Sequence, residues 1–282
     1  MIPVTALAAA LGAPEGALAE PRCTQELHKG DDVLPPAVDE LFGNREPIAR
    51  GSRGLARLSR IGSVVGGALE FLEYVQDEWP DLLELSVDHA QIVLVAMAIA
   101  TVIGVTAGLL CYRNALAAKV ALTVTGTFLT IPSFALFGLL VPVFGLGYRP
   151  AVVALSMYAL LPIVRNTIAG LREVDPAIRE SALGMGLGRW QRLRRVEMPL
   201  AWPVVMTGIR VSTLIIVGIA AIAAIVNGPG LGLNIFRGLS AIGTDRGLHL
   251  ALSGTLGVVM LALLFDAAFA VIARLTTSRG IR

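Results

Sequence analysis

Residues 175–203, DPAIRESALGMGLGRWQRLRRVEMPLAWP, form a basic, glycine-punctuated segment between two long apolar runs. Asp175 suits a helix N-cap and Pro176 suits the first helical position, where its missing N–H would have gone unpaired anyway. Ile178, Ala182 and Met185 recur at i, i+4 and i+7 and make one apolar face, while Arg179, Glu180 and Leu183 point elsewhere. Gly184, Gly186 and Gly188 stop this helix, because glycine takes φ > 0 without steric penalty and lets the chain reverse. A second short helix is expected over residues 189–196, before Pro199 and Pro203 break it. The product is a helix-turn-helix elbow carrying Arg189, Arg192, Arg194 and Arg195. From these residues alone two readings stay open: a surface for a partner, or a basic loop that does no more than fix orientation in a membrane.

The flanking runs place the elbow in a membrane protein. Of the 282 residues 55% are hydrophobic and 16% charged, and the mean hydropathy is +0.73, too apolar for a soluble domain of this size. Residues 90–112 hold 23 positions without a charge, residues 120–148 hold 29 and residues 211–236 hold 26, each more than the roughly 20 needed to cross a bilayer. Residues 150–171, with Arg165, and residues 248–273, with Asp266, are further runs interrupted by one charge. The reading is an all-α integral membrane protein with five spans. In it residues 206–226 fill one crossing, and residues 120–143, with Pro132 in the middle, are one kinked helix.

Orientation follows from the lysines and arginines. With the elbow cytoplasmic, residues 113–119, 165–197 and the tail from Arg274 hold roughly twelve basic residues, against about three outside (Arg149, Arg237 and Arg246). The approach to the first span, from Glu70 to Asp88, is wholly acidic. The N-terminus of the core is thus expected outside and the C-terminus inside. The net charge of +2 is the sum of that asymmetry and not a nucleic-acid signal. Cys23 and Cys111 are far apart in the chain, and no disulfide is expected.

Residues 1–67 fit this plan poorly. Their start is mildly apolar but has no basic n-region and contains Pro3, Pro14 and Glu15, which argues against a signal peptide. They read as an N-terminal extension, disordered or produced by a start codon placed too early, with an interfacial helix over residues 55–74 as the alternative. Residues 68–282 then form the transmembrane domain.

Enzyme chemistry finds little support. Three histidines (His28, His89, His249), no His/Cys cluster at metal-ligand spacing, no G-x-S-x-G turn and no Walker A sequence leave no catalytic residue, metal or cofactor to name. Any ATP is handled by another polypeptide. The stretch Asn227-Gly228-Pro229-Gly230-Leu231-Gly232 can interrupt a helix at the outer surface, with a short helix over residues 233–239 after it. It is a candidate gate or an ordinary turn. Pro132 and Ser133 are candidate pathway residues on the same logic, since proline frees carbonyls, with a packing kink as the alternative. Arg210 and Asp266 are the ionisable groups deepest in the spans, and a structural ion pair or snorkelling suits them better than a transport role.

Glu180-Ser181-Ala182, three residues, Gly186, nine residues and Val196-x-Met198-Pro199 resemble the EAA loop of ABC-importer permeases, E-A-A-x3-G-x9-I-x-L-P. Ser181, Val196 and Met198 depart from the consensus by conservative changes. The resemblance implies a five-helix type I permease core whose elbow, residues 175–199, docks on a separate ATPase through Glu180, Ser181, Ala182, Gly186, Arg189, Arg192 and Pro199. Residues 130–142, TIPSFALFGLLVP, residues 159–167, ALLPIVRNT, Gly184-Met185-Gly186 and Gly230-Leu231-Gly232 look like the osmoprotectant branch, which imports glycine betaine, carnitine, choline or related quaternary amines. The implied partners are cytoplasmic ABC ATPase subunits, an extracytoplasmic substrate-binding protein and a second permease subunit, identical or related, in a bacterial cytoplasmic membrane. With 6% aromatics, an aromatic cage for the quaternary ammonium is expected on the binding protein. The alternatives are a permease for an amino acid or other small solute and, in a different class, an ion-coupled carrier or osmotic channel using Asp266.

Overall fold

A computed structural model describes residues 66–276. Residues 1–65, which hold nearly all of the expected extension, and Cys23 lie outside the described residues. Of the alternative helix over residues 55–74, the described part is helical, within a helix over residues 66–77 that a turn at Glu78 joins to the first long helix. That helix, α1, is Trp79–Cys111. It is followed by α2 Ala115–Thr130, α3 Ser133–Phe144, α4 Tyr148–Arg172 and, in the elbow, α5 Pro176–Gly184 and α6 Arg189–Arg192. A π-helical turn, Leu193–Glu197, leads into α7 Met198–Ala220, a 3-10 turn Ala221–Val226 closes it, and α8 Gly232–Ser240 and α9 Asp245–Thr276 complete the order. No strand occurs among the described residues.

Helix α4 is the centre, packed along α1 on one side and α7 on the other. Ala151, Leu155, Ala159, Ile163, Val164 and Leu171 on it have no exposure at all. Lipid tails are as apolar as leucine, so close packing of small residues and interhelical polar contacts hold such helices together. Gly104 and Gly108, four apart on α1, let α4 approach until a Cβ would stand 2.8 Å from Ile163 and 2.5 Å from Thr167. Ser156 on α4 donates to the Ala96 carbonyl of α1 at 3.2 Å, and Ser212 on α7 donates to the Ala159 carbonyl of α4 at 2.8 Å. The apolar residues Leu256, Val259, Met260, Leu263 and Leu264 of α9 stay exposed, as a lipid-facing or subunit-facing helix requires.

Two expectations are corrected. Residues 120–143 are not one kinked helix: α2 and α3 meet at 98°. Pro132 has no N–H and forces Ile131 into an extended conformation (φ -70°, ψ 127°), which ends α2 outright. The Ile131 carbonyl is taken instead by the Tyr158 hydroxyl of α4 at 2.7 Å. By length and composition four helical stretches among the described residues can cross a membrane, and the α2–α3 pair makes a fifth if it counts as one span.

The second correction concerns Pro199 and Pro203, which do not break the chain. The run from Arg189 to Val226 is a 38-residue helical stretch. At its π turn the Met198 N–H reaches back to Leu193 O, a shift in the bonding pattern directly before Pro199 that lets the helix run on past a residue with no N–H to give. Pro203 sits inside α7, as membrane helices tolerate when the freed groups find other partners.

Candidate functional site

The elbow is built by short-range chemistry. Asp175 Oδ1 accepts the Ala177 N–H at 2.8 Å and Pro176 opens α5. Arg179 turns back to the Arg172 and Val174 carbonyls, closing the exposed end of α4. Backbone bonds from Met185 to Ser181, Gly186 to Leu183 and Leu187 to Ala182 terminate α5, and Gly186 takes φ +77°. Of the face expected from Ile178, Ala182 and Met185, Ala182 is buried at 1% exposure, whereas Ile178 and Met185 stay exposed with Leu183 and Trp190. Small Ala182 can tuck against the neighbouring turn and the larger side chains project. Glu180, Ser181, Gly186, Arg189 and Pro199 are also exposed.

Arg192 points inward. Its Nε donates to Glu197 Oε1 at 2.8 Å, and its side chain is 10% exposed. Glu197 has no exposure and also accepts from the Tyr112 hydroxyl at 2.6 Å and from Arg113 Nη2 at 3.2 Å. Arg172 Nε donates to the Tyr112 carbonyl at 2.8 Å. A buried carboxylate persists only when paired and hydrogen-bonded, and here its partners tie the end of α1 to the π turn. Arg192 therefore braces the elbow. Tyr112, Arg113, Arg172 and Glu197 were not picked out by sequence reasoning. The available signal was that Glu197 is the sole acid between Glu180 and Asp245 and stands among arginines.

At the far end of the bundle the 3-10 turn closes on Asn227 (φ 58°), the only non-glycine residue with positive φ among those described, and Gly230 has φ +113°. Gly228, Gly230 and Gly232 are buried and Pro229 half-buried. A Cβ on Gly230 would meet the His89 ring, with Nδ1 at 2.9 Å. His89 Nε2 lies 3.0 Å from the Val217 carbonyl. Pro132 is exposed and Ser133 half-buried at the α2–α3 corner, and the next residue, Phe134, meets Phe236 of α8 edge-on with centroids 6.5 Å apart. The two candidate gate segments are thus neighbours. Lower in the bundle, Arg210 of α7 grips Asp266 of α9 through two bonds of 2.6 and 2.7 Å.

A family model described as "Binding-protein-dependent transport system inner membrane component" matches residues 100–278, from the middle of α1 past the end of α9 and including the elbow. The chain belongs to this transport-permease family. It is therefore a multi-pass inner-membrane protein. This permease is 39% identical to the osmoprotectant import permease protein OsmW of Salmonella typhimurium over 76% of the chain and all of that protein. It is 33% identical to the glycine betaine/carnitine/choline transport system permease protein OpuCB of Bacillus subtilis over 76% of the chain and 96% of that protein. Among solved structures, an inward-facing MetNI methionine ABC transporter has the same fold, with TM-score 0.62 and 24% identity over 70% of this permease and 96% of that chain.

Proposed function

We propose that this permease is the membrane-spanning subunit of an ATP-driven importer for osmoprotectants such as glycine betaine, carnitine or choline. The observation that carries the substrate class is the likeness, over three quarters of the chain, to permeases named for those solutes. Residues 175–199 form the cytoplasmic coupling elbow. Exposed Ile178, Leu183, Met185 and Trp190 beside Glu180, Ser181 and Arg189 offer an apolar surface with polar edges to a groove on a separate ATPase subunit. Gly186 sets its turn, Pro199 lies where the elbow runs on into α7, and Ala182 and Arg192 hold it to the bundle.

Two such permeases, identical or related, enclose the path; a binding protein delivers the solute outside and two ATPases close on ATP inside. Residues 227–232, with Pro132 and Ser133, form the outer gate. An ion-coupled carrier is disfavoured because the Asp266 carboxylate is already occupied by Arg210. The test is uptake of labelled glycine betaine, carnitine and choline by proteoliposomes holding the permease with its ATPase and binding protein. Uptake is expected to need ATP and both partners, and uptake that persists without the ATPase overturns the assignment.

A further inference from the structure

Between the elbow and the bundle lies an open pocket of about 370 Å³ lined by Tyr112, Arg113, Arg172, Arg179, Arg192 and Glu197. Four guanidiniums face one carboxylate there, an excess of three positive charges. Glu197, the one acid in the lining, is spent on Arg113, Arg192 and Tyr112. Arg172 uses its Nε on the Tyr112 carbonyl and Arg179 binds the Arg172 and Val174 carbonyls. The carbonyl bonds orient Arg172 and Arg179 without neutralising them. The bonds given to Arg172 and Arg192 engage only their Nε atoms, which leaves their terminal N–H groups for a ligand.

We infer that this pocket binds a phosphate-class oxyanion. Arginine forks match phosphate oxygens in pairs, and such charge-assisted bonds are about twice as strong as neutral ones. Position favours a lipid as the source: Tyr112 and Arg113 directly follow α1, Arg172 ends α4 and Glu197 directly precedes α7, so the pocket opens where three spans leave the hydrocarbon. Basic pockets between membrane helices at that depth take anionic headgroups. Free phosphate offers the same chemistry.

Native mass spectrometry of the full-length chain, carrying mixed dioleoyl phosphatidylglycerol and phosphatidylcholine, tests the site together with thermal unfolding in inorganic phosphate. Selective retention of phosphatidylglycerol, weakened about tenfold in R172Q/R179Q and less in R172K/R179K, which keeps the charge but loses the fork, supports a lipid-filled site. An increase in Tm with inorganic phosphate that the same variant loses supports a free anion. Removing the one negative charge with E197Q should tighten either ligand, and high salt should release it from the wild-type chain. Equal retention of the two lipids with no response to phosphate overturns the inference, as does binding that R172Q/R179Q and salt leave unchanged.

Discussion

Because Glu197 has no exposure and draws its donors from both the end of α1 and the elbow, its loss strands Arg113 and Arg192 without an acceptor. Glu197→Ala is expected to cost about 3 kcal/mol, the low end for breaking a buried pair, since Arg113 keeps 35% of its side chain exposed. Thermal unfolding of the purified chain measures it, and an unchanged Tm would show that Glu197 does not brace the elbow. Gly186 raises a different issue, since nothing lies within 4 Å of an added Cβ and only its φ of +77° resists a side chain. Valine there meets a backbone penalty of about 1–2 kcal/mol or more, whereas asparagine tolerates the left-handed region. Gly186→Val should insert normally yet lose ATP-driven uptake, and Gly186→Asn should retain most of it; wild-type uptake in both would detach the elbow from coupling.

At the scale of elements, the corner between α2 and α3 depends on one hydroxyl from a third helix. Tyr158→Phe leaves the part-buried Ile131 carbonyl without its donor, a loss of about 1 kcal/mol. Amide exchange is expected to quicken near residues 130–136 while the middle of α4 stays protected, and unchanged exchange at the corner would show that Pro132 alone sustains it. The spans were legible because membrane helices advertise length and apolarity, and the Asp175 cap and the stop at Gly186 were legible because they are local. The 98° angle was not, since a proline reports that the helix must end but not which side chain of another helix will take the carbonyl of the extended residue before it. The continuity through Pro199 escaped for a related reason: a π turn leaves no compositional mark. Glu197 was hidden because a carboxylate amid arginines reads as surface charge until its burial is known. The Gly104 and Gly108 pair carried a readable four-residue spacing, but its partners, Ile163 and Thr167, are set only by packing.

Over the whole molecule, the 38-residue run from Arg189 to Val226 joins the elbow to the glycine-proline loop, roughly 57 Å at helical rise. Its middle is clamped to the core by the Ser212 bond to Ala159 and by Asn166 and Pro162 crowding Gly208, and on its other side Arg210 ties it to α9. Interiors packed this closely respond as bistable units rather than by gradual bending. A displacement of the elbow should therefore reach Gly228 and Gly230, which are wedged against Ala223 and His89. Spin labels at Leu183 and at Asn227 in the assembled transporter should change their intersubunit distances with the same nucleotide dependence, and Gly186→Val should suppress both changes together. An elbow that moves on ATP binding while the residue 227 distance stays fixed would show that α7 does not carry the motion. The gate would then have to be worked through α4, whose packing against α1 at Gly104 and Gly108 offers the other continuous path across the membrane.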